Sequence, residues 1–280
     1  MHTPFFRKTI INIKNLSIIL IVILLIGFFL EYKKNSEYGV KRSNPDQRMS
    51  TNENELLWKL SNGQSISLDE VKIIRSFVDK RYDTSDFRLP SILRILYEYK
   101  NSLTSEIEQE IKQMLLGFRY WMDQPGEDGM CFWSENHQIL FAAAEYLTAQ
   151  LYPEEIFHND GKSGIKHKKI ARRRILSWLE QRWLYGFSEW YSNVYYLEDV
   201  TALINLIDFA QDQEVVQKSK IIMDLLFYDM ASQSFKGTFQ TTSGRAYENG
   251  KKSGKNTSTR TLTEYLFGCD SNPDKRPGMD

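Results

Sequence analysis

Residues 139–153 read ILFAAAEYLTAQLYP, and this stretch decides the fold class. Ile139, Leu140, Ala143, Leu147 and Leu151 recur at three- and four-residue intervals, the spacing of one helix face, and Pro153 ends the run because it has no amide hydrogen. The same period repeats on both sides. Toward the N-terminus, Ser67-Leu-Asp-Glu70 has the form of a capping box and opens a helix to about Tyr82. Leu89, Pro90 and Ile92 open another that carries Leu93, Leu96 and Tyr97, with Pro90 in the first turn, where a missing N–H costs nothing. Ser105 and Glu108 open a third, through Ile111, Leu115 and Phe118 to about Met122. Toward the C-terminus, Ile170–Trp183 precedes the stop at Gly186. Val200, Leu203, Leu206, Ile207 and Ala210 mark the next helix, and Val215, Ile222, Leu225 and Leu226 the one after. A shorter helix is expected over Thr259–Phe267. Period-two alternation is confined to Phe235-Lys-Gly-Thr-Phe239, too short to carry a sheet. The expectation is an all-α domain of antiparallel helical hairpins over residues 53–268, with too many helices for a four-helix bundle.

Charge and composition exclude several function classes. Lys and Arg number 36, Asp and Glu 36, and two cysteines, Cys131 and Cys269, leave room for one disulfide at most. A balanced charge does not suit a dedicated nucleic-acid binder, and no nucleic-acid partner is expected. The four histidines, His2, His137, His158 and His167, include no pair at one-turn spacing, so neither a metal site nor a cofactor is expected.

The average conceals an uneven start. Residues 16–30 read LSIILIVILLIGFFL, with Arg7, Lys8 and Lys14 before them. Fifteen helical residues rise about 22 Å, and extension back to Ile10 approaches the roughly 30 Å hydrocarbon core. The expected organisation is an N-terminal tail over 1–9, a transmembrane signal anchor over 10–30 with the lipid bilayer as partner, and a polar linker over 31–52. The helical domain then follows, and a polar tail closes the chain over 269–280. A cleaved secretory signal is the alternative, against which no Ala-x-Ala-like site follows Leu30. A single-pass membrane protein with its domain on the extracytoplasmic side is expected.

Two loops concentrate chemistry. The first, 123–137, delivers Trp133, Glu135, Asn136 and His137 into the first turn of a helix, where the helix N-terminus favours an ionised carboxylate. The bland alternative has Ser134 as the cap, Glu135 as a first-turn charge and His137 in solvent. The second, 186–196, carries Glu189, Trp190 and Tyr195 before Ser192 caps the next helix, and Asp199 follows one turn on. Aromatic rings beside carboxylates suit a sugar, whose apolar face packs on the ring while charged groups meet its hydroxyls. Ordinary core aromatics are the alternative. A third, glycine-rich stretch brings Arg245 and Tyr247, suited to an anionic or hydroxyl-rich ligand or simply to a surface loop. Seven Lys/Arg between Lys162 and Arg174 read as a solvated face, or else as a patch for an acidic partner.

Trp133-Ser-Glu-Asn-His-Gln, Ala144-Glu-Tyr-Leu, Gly186-Phe-Ser-Glu-Trp-Tyr-Ser-Asn-Val-Tyr-Tyr, Asp199 with Ala202-Leu, and Gly244-Arg-Ala-Tyr together resemble uncharacterised bacterial and fungal proteins. Their domain is similar to the (α/α) toroids of six-hairpin glycosidases and polysaccharide lyases. The resemblance covers roughly residues 115–250. It implies a partial (α/α) toroid, since seven or eight helices fall short of twelve, with an open flank for a protein partner to cover. It implies a carbohydrate-active protein acting on a polysaccharide, with Glu135, His137, Glu189 and Asp199 as catalytic groups. Trp133, Asn136, Trp190, Tyr195, Arg245 and Tyr247 would bind substrate. In a hydrolase Glu135 would work with Glu189 or Asp199 as acid and base. In a lyase Asn136 or Arg245 would neutralise a uronate while His137 or a tyrosine takes the proton. A non-catalytic glycan-binding or structural helical protein derived from such a fold is the alternative.

Overall fold

A computed structural model describes residues 52–235, 237–254 and 257–267. The helices are α1 (Glu53–Ser61), α2 (Leu68–Asp79), α3 (Leu89–Glu98), α4 (Ser105–Gly117), α5 (Glu135–Leu151), α6 (Gly164–Tyr185), α7 (Tyr196–Phe209), α8 (Gln213–Ser232), α9 (Glu248–Lys252) and α10 (Arg260–Phe267). Two-residue strands β1 (Ser234–Phe235) and β2 (Thr238–Phe239) pair antiparallel, and a 3-10 turn over Ser85–Arg88 leads into α3. The all-α expectation holds for the described residues.

Local chemistry sets the ends. Ser67 and Glu70 form the reciprocal capping box at α2, and Asn52 caps α1, a helix the apolar spacing does not announce. α4 stops at Gly117, earlier than the apolar spacing suggests, because Phe118 turns extended. α6 begins six residues before Ile170. Ser134 occupies the cap position of α5 without a capping hydrogen bond. Ser192 does not cap α7 either: its Oγ accepts from the amides of Val194 and Tyr195, bending the chain ahead of the helix.

α5 sits at the centre. From Glu135 to Ala149 every side chain except Gln138 is buried, so the helix has no polar stripe, and Ala142, Ala143 and Ala144 let its neighbours approach closely. Contacts at both ends fix the directions of the helices around it. Asp86, just before α3, meets His137 at the start of α5, and Tyr97 near the end of α3 donates to the Leu147 carbonyl, 3.0 Å, near the end of α5. Gln150 at the end of α5 donates to the Phe209 carbonyl at the end of α7, 2.8 Å. Helices α3, α5 and α7 therefore run parallel. α6 runs the other way: Gly164 at its start abuts Tyr152, and Trp178 toward its end donates to the Glu135 carbonyl, 3.0 Å. α8 likewise returns along α7, its Asp229 reaching Tyr196.

The expected open flank is corrected by this arrangement. α3 contacts α7 directly, through Asn205 to the Pro90 carbonyl (2.9 Å) and Arg94 to Asn205 (3.1 Å) and Asp208 (2.6 Å). Among the described residues the three inner helices touch one another, and nothing in them supports a partner-covered flank.

The expected transmembrane helix over 10–30, with the tail over 1–9, the linker up to residue 51 and the tail over 269–280, lies outside the described residues. Among the described residues no helix is long and apolar enough to cross a membrane. Even α6, at 22 residues the longest, places Lys or Arg at 166, 168, 169, 172, 173, 174 and 182. Nothing in the described residues supports the transmembrane architecture, the bilayer partner or the single-pass extracytoplasmic location; what they show is an all-α helical domain.

Candidate functional site

Because α3, α5 and α7 are parallel, their N-termini come together, and with them the positive ends of three helix dipoles. Glu135, Asn136 and His137 are the first three residues of α5, Glu198 and Asp199 lie in the first turn of α7, and Asp86 and Arg88 precede α3. The loop 186–195 and the segment 240–254 lie over this end.

Glu135 is buried. Its Oε2 accepts from the Ser188 amide, 2.5 Å, and from the Ser188 hydroxyl, and it pairs with Arg182 at 3.1 Å; Oε1 has no partner. Arg182 is fixed in turn by donating to the Gly186 carbonyl, 2.9 Å. Asn136, fully buried, donates to Glu189 Oε2 at 2.6 Å, while Arg245 donates to Glu189 Oε1 at 2.8 Å. The Arg245 guanidinium lies 4.2 Å from the centre of the Tyr195 ring, and the Tyr195 and Tyr247 hydroxyls bond to each other. Both carboxylate oxygens of Asp199 are buried without a hydrogen-bond partner. His137 Nδ1 lies 2.6 Å from Asp86 Oδ2, and Asp86 Oδ1 is unpartnered.

Burial shapes the acidity of this end. It raises the carboxyls of Glu135 and Asp86, and it carries Asp199 well above the ordinary carboxylate range, helped by the neighbouring charges of Glu135 and Glu189. Burial, and next the Asp86 carboxylate, pushes Glu198 up to about 7. For His137 burial acts downward, but the attraction of Asp86 outweighs it and the imidazole is raised. The centre as a whole holds protons to higher pH than its separate groups would.

The overlying chain is stitched down. Gly244 N–H donates to the Trp190 carbonyl (2.8 Å), Ser192 to the Arg245 carbonyl (2.8 Å), and Asn193 to the Gly250 carbonyl (3.4 Å). Gly244 lies so close to the indole of Trp190 that a Cβ there would stand 2.8 Å from the ring.

Of the residues expected to meet, Asn136, Glu189, Arg245, Tyr247 and Tyr195 are brought into one network, while Glu135 bonds to Ser188 and Arg182 and Asp199 is coupled to Glu135 and Glu189 only through charge. His137 belongs to the adjoining pair with Asp86 and does not face solvent. Trp190 lies at the rim, half exposed. Trp133 is 73% exposed, with its carbonyl accepting from Gln138, and does not floor a groove with the carboxylates. Sequence reasoning missed Asp86, Arg182 and Ser188, and passed over Glu198. The signal for Asp86 was its place immediately before an inner helix, the counterpart of the loop that precedes α5.

The basic run divides. His167 and Arg174 turn inward to Glu145 (2.6 and 2.8 Å), His167 also meeting Asp160 at 3.0 Å, and Arg172 pairs with Asp212 and Glu214. A fully solvated face is therefore corrected for half of it.

No family model, no curated protein and no solved structure matches the chain. The carbohydrate-active reading, as hydrolase or lyase, accordingly has no relative behind it, and the site argues against it too. Glu135 and Glu189 are buried and already engaged, Glu135 by Arg182 and Ser188 and Glu189 by Asn136 and Arg245. That reading is corrected to what the described residues show, an all-α helical domain.

Proposed function

We propose that this chain is a non-catalytic structural helical protein, and that the polar centre is an internal clamp holding loop 186–195 and segment 240–254 on the inner helices. The observation that carries this reading is the chain of bonds Asn136–Glu189–Arg245, which ties the start of α5 to both overlying segments. A carboxylate used in this way is a strut, since an acid or base must exchange its proton with substrate. The test combines two readouts on wild type, Glu135→Gln and Glu189→Gln. Neutral and uronate-bearing polysaccharides are offered to each, and thermal unfolding is followed. No product from any of the three, with lowered melting temperatures in both variants, is the expected result. Product from wild type that either variant loses overturns the reading.

A second reading rests on the rim. Trp190, packed against Gly244, and Tyr247, bonded to Arg245, are each about half exposed, rings of the type on which a sugar packs. Non-catalytic glycan binding there predicts quenching or enhancement of tryptophan fluorescence by an oligosaccharide, absent in Trp190→Ala.

A further inference from the structure

A second site lies toward the other end of α5. Tyr146 stands eleven residues, or about 16 Å of helix, beyond Glu135, and floors a cavity of about 520 Å³ between α6 and the α7–α8 connection. Tyr146 is 1% exposed, and its hydroxyl donates to no acceptor, with the Asp212 backbone beside it acting weakly against the effect of burial. Burial, and next the nearby Asp212 carboxylate, raises this phenol, so it stays protonated and can donate. An unused buried donor costs free energy unless something supplies an acceptor.

The walls show the charge of the missing acceptor. Lys168, Lys169 and Arg172 line one side, and Gln211 and Asp212 face them. The acids are already engaged. Asp212 Oδ2 accepts from Arg172 at 2.6 Å, while its Oδ1 caps α8 through the amides of Glu214 (2.9 Å) and Val215 (3.3 Å). Glu214 is taken by Arg172 and Lys218. Lys168 lies 5.4 Å from the centre of the Tyr146 ring and reaches Gln211 at 3.4 Å, and neither Lys168 nor Lys169 has a carboxylate partner among the described residues.

We infer that this cavity binds a phosphomonoester, with the Tyr146 hydroxyl donating to one phosphate oxygen and Lys168 and Lys169 balancing its two charges. A phosphate suits the donor set better than a carboxylate, because it offers three acceptor oxygens and close to two negative charges near neutral pH. The cavity leaves room for the organic group that carries it. The phosphate can belong to a soluble ester or to a lipid headgroup. The site is independent of the clamp at the other end of α5.

The test uses the full chain at low ionic strength. Inorganic phosphate and glycerol 3-phosphate are titrated calorimetrically into wild type, Tyr146→Phe and Lys168→Gln/Lys169→Gln, with glycerol as the neutral control. Saturable binding is expected in wild type, about tenfold weaker in Tyr146→Phe and absent from the double variant. Tyr146→Phe removes a hydroxyl that donates to no acceptor, so its unliganded melting temperature should stay close to that of wild type, which keeps the test open if the double variant folds poorly. A second arm compares vesicles of phosphatidylcholine with and without phosphatidic acid. Extra retention by phosphatidic acid, lost in Tyr146→Phe and without binding of soluble esters, assigns the headgroup as the source. Absence of both kinds of binding, or binding that Tyr146→Phe leaves unchanged, overturns the proposal.

Discussion

Asp199 illustrates how much one side chain can reveal. Both its oxygens are buried and unpartnered, with Glu135 and Glu189 as neighbouring charges. Ionisation there would set a naked charge against two others, so burial and those charges hold this carboxyl well above the ordinary carboxylate range. A carboxyl whose folded pKa is raised contributes its stability below the unfolded value and loses it as pH rises through the folded one. Asp199→Asn removes the ionisation and keeps the shape. Its unfolding midpoint should match wild type near pH 4 and exceed it by the equivalent of about 1 kcal/mol at pH 8, measured by chemical denaturation. The first-turn positions of Glu135, Asn136 and His137 were legible in the sequence, because a helix start can be recognised from ten residues of chain. The Asp86–His137 pair was not: its members are 51 residues apart, and nothing local to either signals the other.

At the scale of elements, the α5–α6 hairpin turns on Gly164. A Cβ there would lie 2.1 Å from the Tyr152 carbonyl oxygen and 2.9 Å from Pro153 Cα, backbone atoms that cannot step aside. Gly164→Ala should therefore lower stability by about 1–3 kcal/mol in urea unfolding, although alanine ordinarily favours a helix. Segment 240–254 depends on side-chain bonds more than on its own short elements. Arg245→Ala removes the guanidinium between Glu189 and the Tyr195 ring, and limited proteolysis should cut within 240–254 at least several-fold faster, with the helices intact. Most helices could be read from their apolar period. Helix α1 and the start of α6 escaped it, since Asn52 and Ser163 mark helix starts by cap chemistry and position, and the first turn of α6 is largely polar.

For the whole molecule, the parallel inner helices collect raised carboxyls at one end, and this sets a pH profile. Glu198, raised to about 7, contributes stability below the ordinary carboxylate value that is lost as pH climbs from about 4.5 to about 7. Asp86, Glu135, Asp199 and His137 act in the same direction. Glu70 acts oppositely. Its bond to Lys59, and next that to the Ser67 amide, lower it to about 2, so its contribution is lost only in stronger acid. The thermal midpoint should peak in mildly acidic buffer and fall toward pH 8, and Glu198→Gln should flatten the fall by about 1–3 kcal/mol. A midpoint rising steadily from pH 5 to 8 would contradict this account. The all-α class was legible because period and caps are local properties. That three inner helices would close directly on each other was not, for it depends on Arg94 meeting Asn205 and Asp208, more than a hundred residues away.

The bond between Glu189 and Arg245 has a consequence for synthesis. Its partners are 56 residues apart. At roughly 5–20 residues per second, the ribosome makes Glu189 wait several seconds for its arginine. During that interval α5 through α7 can already be packed, while Glu189 and Asn136 meet water where the later segment will lie. The nascent domain thus passes through a stage with an unlatched end, and a chaperone or protease arriving then finds an opening that the finished protein has shut.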